Sequence, residues 1–493
     1  MTSPNDLFPV PSHSASRLAP QVWPGTTPKS TSSLLAALED NYKRWHCFFN
    51  DNGFHNHTSH WLLAIWALGA NEEIIDAAYK LNCAYQRPAF ESPQAITEEN
   101  VYDHLGDEKY YNAYLNFFTK VVREKGIAGA LEDYVFSPEA NIATAAHPNN
   151  KPQMLDRFFS SLIHPFIYAG YGVEFNIPGL VVEGLAHTAI HATESANILP
   201  DSLFEEAPTA GLERLNLSGH AQPNVHALTV LARMLDDSEL VNSGPSEVWQ
   251  IFSSAMKHGD SITRYANAWS CNLSIPGELE RKIEELVWMN TIIYGISGWT
   301  YGQGRDHFIA SFVLMHLVTS SLFLSSTAAL LTPASQERLL RSYFVISLSW
   351  WVAVGRPSFD ISGFFEATTS YLAPSGALPT PHEKSLPSAT SPAAVTPNPW
   401  LPLLETTLVY PDDHVPKLQR ALSHYAGLYG NKAAGSEELK NTELKGAELV
   451  DGTLFIRVAG LTAKRMGRMR EGEEPITFWD RASFFGLTPT SRL

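Results

Sequence analysis

Phe308-Ile-Ala-Ser-Phe-Val-Leu-Met-His-Leu-Val-Thr-Ser-Ser-Leu-Phe-Leu-Ser-Ser-Thr-Ala-Ala-Leu-Leu-Thr-Pro-Ala-Ser335 carries no charged residue. It is longer than the roughly 20 apolar residues that a membrane-spanning helix needs. Its polar content points elsewhere. Between Ile309 and Thr332 lie Ser311, His316, Thr319, Ser320, Ser321, Ser325, Ser326 and Thr327. Lipid leaves such groups unsatisfied, whereas a protein interior hydrogen-bonds them. The run is therefore predicted to be a central buried helix, Phe308 to Leu331, and no membrane span is expected. Around it, from Ser33 to about Phe365, apolar residues recur at three- and four-residue steps, and strand-type alternation is sparse. Further helices are predicted from Ser33 onward, over Trp61–Ala70, Glu99–Glu124, Met154–Tyr168, Pro178–Ala196, Val225–Leu235, Gly277–Tyr294, Gln336–Val354 and Asp413–Leu428. The fold class is all-α, one large core without a repeat signature.

Composition bounds the rest. Of 493 residues 44% are hydrophobic and 17% charged, below the usual charged share of about 25%, which excludes a disordered chain and a coiled coil. Lys and Arg number 35 against 51 Asp and Glu, and the net charge of −16 repels nucleic acid. Three cysteines, Cys47, Cys83 and Cys271, are too few and too scattered for a disulfide framework or a CxxC site, which fits a reducing, cytoplasmic compartment. Residues 1–32 read as a flexible leader without a secretory signal, and 33–430 as a helical catalytic domain. That domain is interrupted at about 373–402 by an insertion with eight prolines. In the extension 431–493, Glu448-Leu-Val-Asp-Gly-Thr-Leu-Phe-Ile-Arg-Val-Ala-Gly460 combines an Asp-Gly turn with a β-branched run and predicts a small C-terminal β-hairpin. The aromatic residues after Thr477 are expected to pack back on the core.

Histidine carries the chemistry. A lone buried histidine is most often a hydrogen-bonded core residue. Phe54-His-Asn-His-Thr-Ser-His60, however, puts three imidazoles directly ahead of an apolar helix, with His57 and His60 at i, i+3, a metal-ligand spacing. His164 precedes Pro165, which disfavours helical backbone at His164 and marks a break that either lines a site or merely caps a helix. His187 and His191 are spaced i, i+4 but lack the Glu that a zinc protease places between them. His316 sits deep in the uncharged run and must find an internal partner. His414 and Lys417 share the first turn of a helix capped by Asp413, where Lys417 pairing with Asp413 or Asp412 is the plainer reading. No GxGxxG follows a strand, and neither GxxxxGK[ST] nor GxSxG occurs. A flavin or nicotinamide domain is thus unsupported.

Several motifs together resemble the questin oxidase-like family of fungal aromatic polyketide pathways. They are His55-Asn-His-Thr-Ser-His60 with Trp-Leu-Leu-Ala, Leu162-Ile-His-Pro-Phe-Ile-Tyr-Ala-Gly-Tyr-Gly-Val-Glu174, Glu183-Gly-Leu-Ala, Asp306-His-Phe with Met315-His-Leu-Val-Thr-Ser320, and His414-Val-Pro-Lys-Leu-Gln-Arg-Ala-Leu422. The resemblance covers about Ser33 to Gly430. It implies an all-helical oxygenase that opens a ring C–C bond of an anthraquinone-type polyketide with O2, by a Baeyer–Villiger-like insertion or a dioxygenase-like cleavage. It further implies non-haem Fe(II) held by several histidines and a lysine carboxylated by CO2. Carried onto this chain, the ligands are His60 or His57, then His164, His316 and His414, with Lys417 as the carbamate. His191, Asp306 and Glu174 would orient the rings or the substrate. Tyr168, His187 and His307 depart from the family's pattern. Neutral imidazoles and one anionic oxygen suit Fe(II). Trp61, Trp66, Phe166, Tyr171, Trp350 and Trp351 are available to stack on a flat quinone. NADPH is a candidate external reductant. Two rivals stand beside this reading: a metal-independent, NADPH-linked monooxygenase, and a non-catalytic binding protein for pathway intermediates. The oligomeric state stays open.

Overall fold

The uncharged run folds as two consecutive helices, and the hydroxyls within it explain how it can be buried. The computed structural model describes residues 7–143, 151–195, 198–204, 225–240, 253, 255–302, 307–372, 375–476, 478–481 and 484–485. The elements that build the centre of the molecule are α1 (Pro28–Arg44), α2 (Thr58–Ala67), α3 (Tyr111–Leu131), α4 (Met154–Phe175), α5 (Pro178–Ile190), α6 (Glu278–Thr291), α7 (Phe312–Ser321), α8 (Leu324–Ala328), α9 (Pro333–Ala353), α10 (His414–Tyr429) and α11 (Leu454–Met466). The expected single helix over Phe308–Leu331 thus starts at Phe312, capped by the Ser311 hydroxyl on Leu314 N–H, and breaks at Leu322 and Phe323. Its hydroxyls bond inward. Ser320 donates to the His316 carbonyl at 2.6 Å, and the Ser320 and Ser321 hydroxyls lie 2.8 Å from the phenols of Tyr343 and Tyr425. Polar side chains so satisfied can sit in a dry interior. No described helix is long and apolar enough to cross a membrane.

Four helices enclose the centre. α2 packs on α4 and α10, and α7 packs on both α4 and α10, so a closed ring of contacts is formed by elements far apart in sequence. α5 lies against α4 in the most extensive helix pairing among the described residues, which small residues permit. A Cβ on Gly184 would stand 2.6 Å from the Ala169 nitrogen and 2.9 Å from the Pro165 carbonyl oxygen. α4 is broken at Ser160–Ile163, where Ser161, Leu162 and Ile163 all take positive φ (51°, 58° and 61°), a costly conformation for side chains of this size. The break falls immediately ahead of His164-Pro165.

The helix expected from Glu99 begins only at Tyr111, after turns, and runs on to Leu131. The expected C-terminal hairpin is absent. Residues 447–449 form a short 3-10 turn, and the β-branched run is helix α11. There Leu454, Phe455, Val458, Ala459, Thr462, Ala463 and Met466 share one buried face at three- and four-residue spacing, a pattern that outweighs the strand propensity of Ile456 and Val458. Among the described residues the extended pairings are single bridges, Trp45 with Pro88, Phe48 with His55 and Ser311 with Asp480. Residues 7–27 run along the core, with Leu7 and Phe8 buried. The tail also returns to it, as Asp480 and Ala310–Phe312 exchange backbone hydrogen bonds of 2.9 and 3.0 Å.

Because α4 and α5 touch through Gly184, Gly184→Val is expected to lower unfolding stability by about 1–3 kcal/mol through overpacking. Gly427→Ala, on the open face of α10 with nothing within 4 Å of the new Cβ, is expected to be neutral or slightly stabilising. Urea unfolding midpoints of the two variants check the contrast.

Candidate metal centre

The first histidine motif is laid down on a buried polar mat. Asn56 Oδ1 accepts from Thr58 N–H at 2.9 Å, the Asn56 amide donates to Asn41 Oδ1 at 2.8 Å, and the Thr58 hydroxyl donates to Asn82 Oδ1 at 2.6 Å. These bonds hold the turn into α2, so that His57 precedes the helix and His60 lies in its first turn. In α4 the broken stretch leaves Ser161 C=O free to accept from His164 Nδ1 at 2.6 Å, while Ser161 N–H donates to Glu194 Oε2 at 3.0 Å. On α7 the His316 Nδ1–H donates to the Phe312 carbonyl at 2.7 Å. On α10 the backbone N–H groups of His414 and Val415 are capped by Asp412 Oδ1 at 2.9 and 3.0 Å. Asp413, expected as that cap, makes no capping bond and turns inward instead.

These elements bring five imidazoles together. Ring centroids lie 4.7 Å apart for His57 and His60, 4.9 Å for His57 and His164, 4.6 Å for His57 and His414, 5.1 Å for His164 and His316, and 5.3 Å for His316 and His414. His57 Nε2 and His164 Nε2 are 2.9 Å apart. One nitrogen each of His164, His316 and His414 fall within 4.8 Å of one another. Asp413 Oδ1 accepts from His57 Nδ1 at 2.9 Å and from His414 Nδ1 at 2.6 Å, and it lies 3.9 Å from Lys417 Nζ. Lys417 Nζ is also 3.4 Å from His60 Nδ1. The Nε2 atoms of His60, His316 and His414 are buried and have no hydrogen-bond partner among the described residues.

Burial dominates the protonation states. It pushes His60, His164 and His316 well below the ordinary imidazole value and His57 down to about 4. His414 differs: burial opposes its charge, but the adjacent Asp413 outweighs it and raises the ring above the ordinary value. Burial likewise works against the Asp413 carboxylate, yet His414, His57 and Lys417 hold it well below the usual range. Burial pulls the Lys417 ammonium down to about 8. The donor set is thus largely neutral imidazole with unpaired inward nitrogens around one carboxylate, which fits a borderline divalent cation such as Fe(II).

The remaining expected residues lie around this group. His191 Nε2 meets His55 Nε2 at 2.8 Å. Glu174 is gripped by Arg420, whose guanidinium lies 5.6 Å from the Tyr171 ring. The Tyr171 ring is 6.2 Å from His60, and Tyr168, whose hydroxyl donates to the Asn56 carbonyl, is nearer at 4.7 Å. Asp306 lies outside the described residues. Of the aromatics expected to face substrate, Trp66 and Phe166 pack on Phe175 and on Phe158 and Phe159, and Trp351 stacks on Phe359. The rings against the histidines are Phe312, at 4.9 Å from His316 and 5.0 Å from His414, and Trp479, at 6.2 Å from His414. Sequence reading missed Asp413 as the shared acceptor. Its signal was position alone, next to His414 and one turn before Lys417.

An all-helical protein with a buried, histidine-lined centre is the class that fold and site define. The chain belongs to the questin oxidase-like family, whose profile matches residues 54–422, a span that takes in the five histidines, Asp413 and Lys417. A Baeyer–Villiger oxidase of Pestalotiopsis microspora is 29% identical over 350 residues, covering 68% of this chain and 72% of the relative. A Baeyer–Villiger oxidase of Paecilomyces divaricatus is 25% identical over 350 residues, with 68% and 70% covered. The questin oxidase of Aspergillus terreus is 24% identical over 335 residues, with 64% and 68% covered.

Neutral buried imidazoles make the fold acid-sensitive. The folded rings bind protons only far below the value of about 6.5 at which the unfolded chain takes them up, so stability is lost as pH falls from about 6.5 toward 4. Each such histidine contributes up to about 1.4 kcal/mol per pH unit in that window. In metal-free protein the urea midpoint is expected to drop steeply as pH falls below 6.5, because the depressed rings outnumber the buried carboxyls of Glu183, Glu194 and Asp156, whose raised values oppose the trend. A midpoint that stays flat down to pH 4.5 would show that these rings titrate freely.

Proposed function

We propose that this chain is an oxygenase of aromatic polyketide metabolism that opens a ring C–C bond of an anthraquinone-type substrate with O2. The reading is carried by one observation, the convergence of His57, His60, His164, His316 and His414 on a common interior with three unpaired Nε2 atoms. It is supported by membership of a family whose relatives include Baeyer–Villiger oxidases and a questin oxidase. The ion proposed for this centre is Fe(II), with His57 or His60, His164, His316, His414 and Lys417 as its ligands. When bound, iron supplies the one-electron chemistry that lets triplet O2 react with a closed-shell ring.

The chain's own residues prepare that centre. Asp413 and the carbonyls of Ser161 and Phe312 accept the Nδ1 protons of His57, His414, His164 and His316, which leaves the Nε2 atoms to face inward. Lys417, with its ammonium pulled down to about 8 by burial, has an accessible free amine that can add CO2 and release a proton to give an anionic carbamate oxygen. Phe312, Tyr168 and Trp479 wall the centre and exclude water from it.

Incubation of the iron-loaded chain with a hydroxyanthraquinone under heavy O2 tests the reaction. Insertion of one oxygen atom, with the other leaving as water, takes two electrons from added NADPH, whereas cleavage that retains both atoms takes none. Either isotopic gain supports the reading; no gain with or without NADPH defeats it. Iron content provides the second test. His316→Ala is expected to lose most bound iron while keeping its helical signal, and full retention would remove His316 from the ligand set. Lys417→Ala is expected to lose activity and to recover part of it with added formate or acetate if Lys417 supplies a carboxylate oxygen.

A further inference from the structure

Beside the first centre a second group of imidazoles meets. His187 lies on the last turns of α5, His191 follows the end of that helix, and His55 precedes α2. Each offers one nitrogen, and the three atoms lie within 4.8 Å of one another. His55 Nε2 and His191 Nε2 approach to 2.8 Å, while neither ring nitrogen of His187 has a hydrogen-bond partner among the described residues. His187 has no solvent exposure at all. The surroundings are aromatic: Phe48 lies 5.3 Å from both the His55 and the His191 rings, Tyr111 5.5 Å and Tyr168 4.4 Å from His187.

An imidazole with two unpaired polar atoms in such a wall is costly, and a phenylalanine or leucine there would avoid the cost. His55 and His191 can satisfy one another with a single N–H, which leaves His187 unexplained. A cation satisfies all three at once. A tetrahedral zinc ion, with bonds of about 2.0–2.1 Å, sets its nitrogen ligands about 3.3 Å apart; His55 and His191 stand at 2.8 Å, and the His187 atom lies within 4.8 Å of both. Three neutral imidazoles without a thiolate or carboxylate match a site with one open position for water, and zinc is the common divalent ion for such a set.

We propose that His55, His187 and His191 form a second, separate binding site for a divalent cation of the zinc type, with water as the fourth ligand. The site shares no ligand with the iron set proposed above and does not require iron to be there. It touches that set through His55, whose ring stacks on His164 at 4.0 Å and 5°, so an ion at the second site also fixes the face on which His164 rests.

Metal counting on the purified full-length chain tests it. The chain is stripped with chelator, loaded with zinc chloride alone and dialysed, and wild type, His187→Leu, His191→Gln and His316→Ala are compared at equal loading. Wild type is expected to hold about one equivalent of zinc more than either His187→Leu or His191→Gln. His316→Ala is expected to retain the equivalent that depends on His187, and its zinc absorption edge to show imidazole nitrogens at about 2.0 Å. Equal zinc in wild type and both second-site variants overturns the proposal, as does a His316→Ala protein without zinc. Two substitutions, one within the helix and one just past its end, keep the comparison open if one variant fails to fold. Absence of iron from the native protein would defeat the proposed Fe(II) centre and leave this zinc difference untouched.

Discussion

One oxygen of Asp413 organises the interior. It accepts from His57 and from His414, and it is the anion nearest the Lys417 ammonium. Removing a carboxylate from water is expensive, and its surroundings repay that only through short, well-directed bonds to cationic or proton-donating neighbours. Asp413 has those neighbours, which is why its carboxyl stays ionised despite burial. The consequence reaches past one residue. A carboxylate that accepts at Nδ1 fixes the ring plane of His57 and His414 together, and the two rings come from chain segments more than 350 residues apart. The carbonyls of Ser161 and Phe312 do the same for His164 and His316 from within their own helices. Histidine tautomer is set by what the outer nitrogen bonds, so four rings present the same inner atom.

Pro165 is what makes the Ser161 carbonyl available. In an unbroken helix the Ser161 carbonyl would be taken by the amide four residues on, and Pro165 has no such amide to offer. The three left-handed residues Ser161 to Ile163 are the cost of turning the chain sharply ahead of His164, and Glu194 pins the strained segment through Ser161 N–H. The uncharged run is cut in the same spirit. Its break at Leu322 and Phe323 lets Phe323 lie over Gly170 and pack on Tyr171 at 4.7 Å, which seats α7 and α8 on α4.

Most of the helical architecture was legible because three- and four-residue spacing reports a buried helix face whatever the partner. The histidine motifs were legible because imidazoles in apolar helices demand partners, and the five rings read as ligand candidates do share an interior. Other features depended on contacts that sequence does not display. α11 carries a β-branched run and follows an Asp-Gly pair, both strand signals, and only the helices packed on it decide for helix. The break in α4 was announced by Pro165, whereas the one after α7 comes from tertiary packing rather than from glycine. His55, His187 and His191 were visible as residues, and the i, i+4 pair was a hint, but their meeting needs the turn before α2 to lie against α5. Asp306 falls where the structure is not described, so its role rests on the family pattern alone.

Lys417 shows how tightly charge and occupancy are tied in such an interior. As an ammonium it stands 3.9 Å from Asp413 and offsets that anion, so the metal-free centre is close to balanced. His414 is drawn toward its protonated form by the same carboxylate, so a cation at its Nε2 competes with a proton. Carboxylation reverses the sign at Lys417 and would leave two anions facing each other across a desolvated gap, an arrangement that low dielectric penalises heavily. A divalent ion between them removes that repulsion. Under the proposed reading, carbamate formation and metal uptake therefore cannot be independent events: each makes the other favourable, and the uncarboxylated lysine is the stable form only while the histidines hold no ion.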